Sequence, residues 1–86
     1  MHEIINEQVD VTSKFDSKTG LTVPVEIVWK SNKYPITKVG LHHTFKEGDV
    51  LIHVFSVVSG NLFFQLHLNS KHLDWTLKEI SDGHAD

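Results

Sequence analysis

The chain has no cysteine and no arginine among its 86 residues, and only two prolines. Without cysteine, disulfides and thiolate metal sites are excluded. Without arginine, the planar fork that grips phosphate at two points and stacks on bases is missing. No apolar run is long enough to span a bilayer as a helix. There is no Gly-x-Ser-x-Gly elbow, no glycine-rich phosphate loop and no His-Glu-x-x-His spacing. Internal repeats, low-complexity tracts and linkers are also missing, and no segment carries a helical period. The opening Met1-His2-Glu3-Ile4-Ile5-Asn6-Glu7 lacks a basic stretch followed by an apolar one. No secretory signal is expected there, and a cytoplasmic location is the expectation.

What remains has a globular composition, with 40% hydrophobic and 22% charged residues. A length of 86 residues allows one domain with a modest core. The expected domain is residues 1–80, with 81–86 as a frayed tail. Net charge is −3 with histidine neutral, which argues against a broad phosphate-binding surface. Seven histidines are present, and protonating all of them would carry the charge from −3 to −3 + 7 = +4. The electrostatics are therefore acid-sensitive.

Alternation of apolar and polar residues recurs along nearly the whole chain, the pattern of strands. Its clearest stretch runs from Val50 to Val58, turns at Ser59-Gly60-Asn61, and returns from Leu62 to Leu68. Gly60-Asn61 suits a two-residue type II′ turn, with glycine supplying the positive φ. That turn predicts Ser59 opposite Leu62, Val57 opposite Phe64, Phe55 opposite Leu66 and His53 opposite Leu68. One face then carries Leu51, His53, Phe55, Val57, Leu62, Phe64, Leu66 and Leu68, and is the expected core side. The other carries Ile52, Val54, Ser56, Val58, Phe63, Gln65, His67 and Asn69.

An earlier hairpin is predicted from Val23 to Trp29, turning at Ser31-Asn32, with its return strand running to about Thr44. Trp29 would then face Tyr34, and Ile27 would face Ile36. Pro24 places a bulge or an edge on this hairpin, and Gly40 a bulge or bend on the return. Lys46-Glu47-Gly48-Asp49 reads as a turn. Two further strands are expected around Val9–Phe15 and Leu73–Leu77. The fold class is all-β: about six antiparallel strands in a meander, forming a curled sheet or small barrel.

Val25-Glu26-Ile27-Val28-Trp29-Lys30 with Lys33-Tyr34-Pro35-Ile36, then Phe55-Ser56-Val57, Phe64-Gln65-Leu66 and Trp75-Thr76-Leu77, form a recognisable series. Over roughly two-thirds of the chain it resembles a small bacterial domain family of unknown function. That family has an aromatic-ending strand, a basic turn with Tyr, a Trp-Arg-Val-like strand, a Tyr-Glu-Leu-like strand and a final Trp-x-Leu. Ser56 and Gln65 stand where the family pattern has Arg and Glu. A cross-strand ion pair would thus be replaced by a neutral pair. The family is similar to domains attached to polymerase-like DNA-damage proteins, so the resemblance implies a link to nucleic-acid processing. It implies no activity, no cofactor and no site residues.

Three chemistries are weighed on the residues themselves. His42 and His43 are adjacent, so on a strand they point to opposite faces and cannot share one ion. His53 and His67 fall on opposite faces in the register above. A three-residue turn would set them opposite each other as a metal pair, but it would turn Leu51, Phe55 and Phe63 to the polar side. No metal site and no cofactor is therefore expected, and a histidine-based metal protein is only a second alternative. His53 is read as a hydrogen-bonded core residue. Glu47, Asp49 and Glu79 are scattered and match no acid–base template, so no catalytic residue is assigned and no enzyme is expected.

The aromatics Trp29, Tyr34, Phe55, Phe64 and Trp75 sit at core positions. Exposed rings flanked by lysines could instead stack on bases. Lys30, Lys33, Tyr34 and Lys38 form the one such patch, an alternative single-stranded nucleic-acid site. The leading expectation rests on the second face of the long hairpin. Ile52, Val54, Val58, Phe63 and His67 are too apolar for a solvated face, so they are either covered by the domain itself or form an interface. The partner would be a protein, a second copy of this chain included; no membrane partner is expected.

Overall fold

The computed structural model describes residues 2–82 and is all-β, as the alternation predicts. Its seven strands are β1 (His2–Asp16), β2 (Leu21–Trp29), β3 (Asn32–Pro35), β4 (Lys38–Glu47), β5 (Val50–Ser59), β6 (Leu62–Asn69) and β7 (Trp75–Ser81). All pair antiparallel in one sheet of order β3-β2-β1-β7-β6-β5-β4. Two meanders, β1–β3 and β4–β7, are joined where β1 pairs with β7. No described segment is a helix, so no helix is long and apolar enough to cross a membrane.

The Gly60 turn forms as predicted. Ser59 pairs with Leu62, Val57 with Phe64, Phe55 with Leu66 and His53 with Leu68. Gly60 has φ 59°, and Asn61 is not among the positive-φ residues, the signature of a type II′ turn. Fully buried Phe55, Val57, Phe64 and Leu66 occupy the expected core face, joined by Trp75, Leu77 and Ile80 from β7 and Ile27 from β2. Inter-strand hydrogen bonding alone would leave one face of such a sheet wet. Curling brings its two ends together around this cluster and removes more apolar area from water.

The other hairpin differs from its prediction. Its turn residues are Lys30 and Ser31, with φ 52° and 65°, not Ser31-Asn32. Trp29 therefore pairs with Asn32 and Ile27 with Tyr34. Both central residues adopt the left-handed conformation that a type I′ turn requires, which matches the twist of the flanking strands. The strand count also changes, because the expected return strand breaks after Pro35. The amide of Ile36 donates to the Val25 carbonyl on β2, at 2.9 Å, and that of Thr37 donates to the Val58 carbonyl on β5, at 2.8 Å. Two successive residues thus bond to strands near opposite ends of the sheet. They tie the half-barrel across its opening and split the return into β3 and β4.

Bulges sit where the sequence placed them. Thr12 pairs with Glu26 and Ser13 with Pro24, leaving Val25 as the extra residue beside the proline. On β4, Val39 pairs with Val57 and His42 with Phe55, so Gly40 and Leu41 together oppose Ser56. A Cβ at Gly40 would stand 3.2 Å from the Ser56 carbonyl oxygen, tighter than most such contacts. The last strand starts at Trp75, later than expected. Leu73 (φ 61°) instead closes a turn in which its amide donates to the Asn69 carbonyl. Ser81, assigned above to the tail, belongs to β7, while residues 83–86 of that tail lie outside the described residues.

Candidate functional site

The leading candidate is the second face of the β5–β6 hairpin, and its residues divide into two groups. Ile52 and Val54 are 7% and 2% exposed. In register, Ile52 lies between Phe45 and Asn69, and Val54 between His43 and His67. The Phe45 and His67 rings meet edge to face at 5.6 Å across β5. One ring comes from β4 and the other from β6, so together they roof the strand between them. The apolar character of Ile52 and Val54 is thus satisfied by the chain's own side chains, and neither presents surface to a partner. His67 is half-buried in this roof. Burial is the main cause that lowers its pKa; Lys78 and His43 add to that and Glu47 and Glu79 oppose it.

The other end of the same face stays open. Val58 is half-buried and Phe63 is 46% exposed. The Gly40-Leu41 bulge explains a residue that sequence reasoning missed. Val39 packs against the core, so strict alternation would turn Leu41 inward too. The extra residue flips the parity and sends Leu41 outward with His43 and Phe45, leaving it 76% exposed. Leu41, Val58 and Phe63 line an open cleft of about 720 Å³, with Lys38, Gln65 and Glu79 among its polar groups. Ser56 and Gln65 stand directly opposite each other there, as a neutral cross-strand pair. Exposed His2 contacts the Glu79 carboxylate at the far side. The cleft offers apolar contact with a few polar groups around it, suited to holding a side chain. Its bulge was legible as Gly40, but the face to which Leu41 turns depends on the count of residues across β5.

The nucleic-acid candidate is not assembled as one patch. Tyr34 is half-buried between Trp29, at 6.4 Å, and Phe64, at 5.3 Å between ring centroids. Trp29 donates from its indole Nε1 to Glu7, at 3.3 Å, and Lys30 Nζ lies 4.9 Å over its ring. These rings are engaged within the chain: Tyr34 lies between two others, and Lys30 lies over Trp29. Lys38 lies on β4 at the cleft described above, while Lys30 and Lys33 flank the β2–β3 turn.

The histidines pair differently from either reading of the sequence. His53 and His67 fall on opposite faces, as the two-residue turn requires. His42, on the core side, meets His53: Nε2 and Nδ1 stand 2.9 Å apart, with rings 5° from parallel. His42 also stacks on Phe55 at 4.5 Å. One nitrogen must donate and the other accept, so the bond needs at least one unprotonated ring. Burial, then the charges of His53 and His43, lowers the His42 pKa. His53 is therefore hydrogen-bonded, as expected, but half-buried and not a core residue, and its partner His42 is one the sequence did not reveal. Among the described residues no three His, Asp or Glu side chains converge to hold a metal ion.

No family model, curated protein or solved structure matches this chain.

Proposed function

We propose that this domain is a cytoplasmic, non-enzymatic protein-binding module that works through the open end of its outer face, with a second copy of the chain among its partners. The carrying observation is the pairing of Leu41, 76% exposed, with Phe63, 46% exposed, at one cleft. Scattered apolar residues on a surface need no explanation, but clustered large ones at a concavity favour a protein contact. Lys38, Gln65 and Glu79 supply the polar rim that such contacts carry. The absence of arginine and the charge of −3 favour this over a phosphate ligand.

The test uses Leu41→Glu and Phe63→Glu, because both positions are exposed and their substitution leaves the core untouched. Light scattering reports the mass of each protein, and immobilised wild type and variants report what each retains from a cell extract. The reading predicts that the variants lose self-association or lose a retained protein. It fails if wild type has the mass of one chain and all three baits retain the same proteins.

A further inference from the structure

We infer that the open edge at β4 is a self-pairing site, where two copies join their sheets antiparallel about a two-fold axis at His43. This rests on the reading of the domain as an interaction module and names its partner as a second copy.

Hydrogen-bond parity decides which backbone groups of β4 face outward. Glu47 and Val50 flank a two-residue turn, as do Ser59 and Leu62, and both closing pairs exchange their backbone bonds. Counting from either turn gives the same answer. Val50, Ile52 and Val54 bond toward β4, whereas His53, Phe55, Val57 and Ser59 bond toward β6. On β4, the partners of the first set are Glu47, Phe45 and His43. The amides and carbonyls of His42, Thr44 and Lys46 therefore point away from the sheet. β4 is the end strand, so no strand among the described residues meets them.

A regular exposed edge of this kind is a template for another strand. The other end strand, β3, has only four residues, which makes β4 the better template. The bulge at Gly40 and Leu41 blunts only the start of β4, and residues 42–47 beyond it pair regularly. Two copies can pair here only in registers that set outward-bonding residues opposite each other. The register centred on His43 does so, with His42 opposite Thr44 of the second copy, and Thr44 opposite its His42. Four backbone hydrogen bonds result. The same register sets Leu41 opposite Phe45 twice, because these two lie equally far from His43. They are the two large apolar side chains that β4 exposes, at 76% and 38%. One pairing thus satisfies unpaired backbone groups and covers exposed apolar surface together.

The chain has no cysteine, so a single introduced one reports this geometry cleanly. His43 would face its own copy as a non-hydrogen-bonded pair, the closest approach that antiparallel strands offer. His43→Cys should therefore oxidise to a covalent dimer, while Lys18→Cys, on the exposed β1–β2 turn, should not. Wild type should show the mass of two chains by light scattering. Leu41→Glu should show one. Thr44→Pro removes an outward amide that bonds to nothing among the described residues, so the fold should survive. It should weaken association by at least about tenfold, as losing two interstrand bonds would. A two-chain mass with His43→Cys crosslinking no faster than Lys18→Cys overturns the edge pairing but leaves self-association through another surface. A one-chain mass at every concentration, without preferential crosslinking, overturns it as well. The broader reading then stands or falls on the proteins that the baits retain.

Discussion

The rings of Tyr34 and Phe64 meet at 5.3 Å, tilted by 59°, although three strands separate β3 from β6 in the sheet. Only a curled sheet can bring them together. The contact fixes how far the half-barrel closes and keeps the tyrosine from serving as an exposed stacking platform. Tyr34→Ala should destabilise the domain by roughly 2–3 kcal/mol, a little under the range for fully buried aromatic truncations. Lys33→Ala, on the same strand and exposed, should stay within about 0.5 kcal/mol of wild type. Urea unfolding monitored by tryptophan fluorescence separates them. Equal midpoints would mean that the curl does not depend on this contact.

Val54 and Phe63 are both apolar residues of the outer face, yet they should respond oppositely to a charge. Val54 is 2% exposed, and Val54→Glu forces a carboxylate out of water beneath the Phe45 and His67 rings. A loss of roughly 3 kcal/mol or more is expected. Phe63→Glu should cost no more than about 1 kcal/mol, because that ring already meets water. Circular dichroism melts of the two variants give the comparison. If Val54→Glu melted with wild type, the roof formed by Phe45 and His67 would have to open freely.

Acid should weaken the fold through His42 and His67. Each has a pKa below the ordinary 6.5 when folded, chiefly because burial penalises the charged ring. The unfolded chain therefore takes up protons first. The stability these residues contribute is complete above pH 6.5 and is lost as pH falls through the folded values. The urea midpoint should be lower at about pH 5 than at about pH 7.5, and His42→Gln with His67→Gln should flatten that slope. A slope unchanged in the double variant would assign the acid response to other groups.

Gly60→Ala tests the turn that sets the central register. Nothing lies within 4 Å of the Cβ it would add, so crowding plays no part. The penalty comes from placing a side chain at φ 59° and should be roughly 1–2 kcal/mol. A D-alanine at the same position, introduced by chemical synthesis, should restore the midpoint. If both isomers behaved alike, the turn would not have the type II′ geometry.

Much of the fold was legible because strands with one buried face must alternate. The Gly60 hairpin, the core at Phe55, Phe64 and Leu66, and the bulges near Pro24 and Gly40 all follow from local rules. The turn at Lys30-Ser31 was missed because neither residue is a usual choice for positive φ. The candidate site was legible only in part. Phe63 was found by parity, but Ile52 and Val54 share that parity and are buried. What separates them is which strands lie on either side and what those strands carry.

The sequence by itself determined the all-β class, the register of the central hairpin and which of its faces forms the core. Each depends on a period of two and on a turn spanning two residues, both local properties. Only the tertiary structure decided that β1 pairs with β7 and that residues 36 and 37 bridge the opening. It alone turned Leu41 outward and drew Phe45 and His67 together over β5. Those outcomes join residues far apart along the chain, where the gain from burying apolar area outweighs the preference of any single segment.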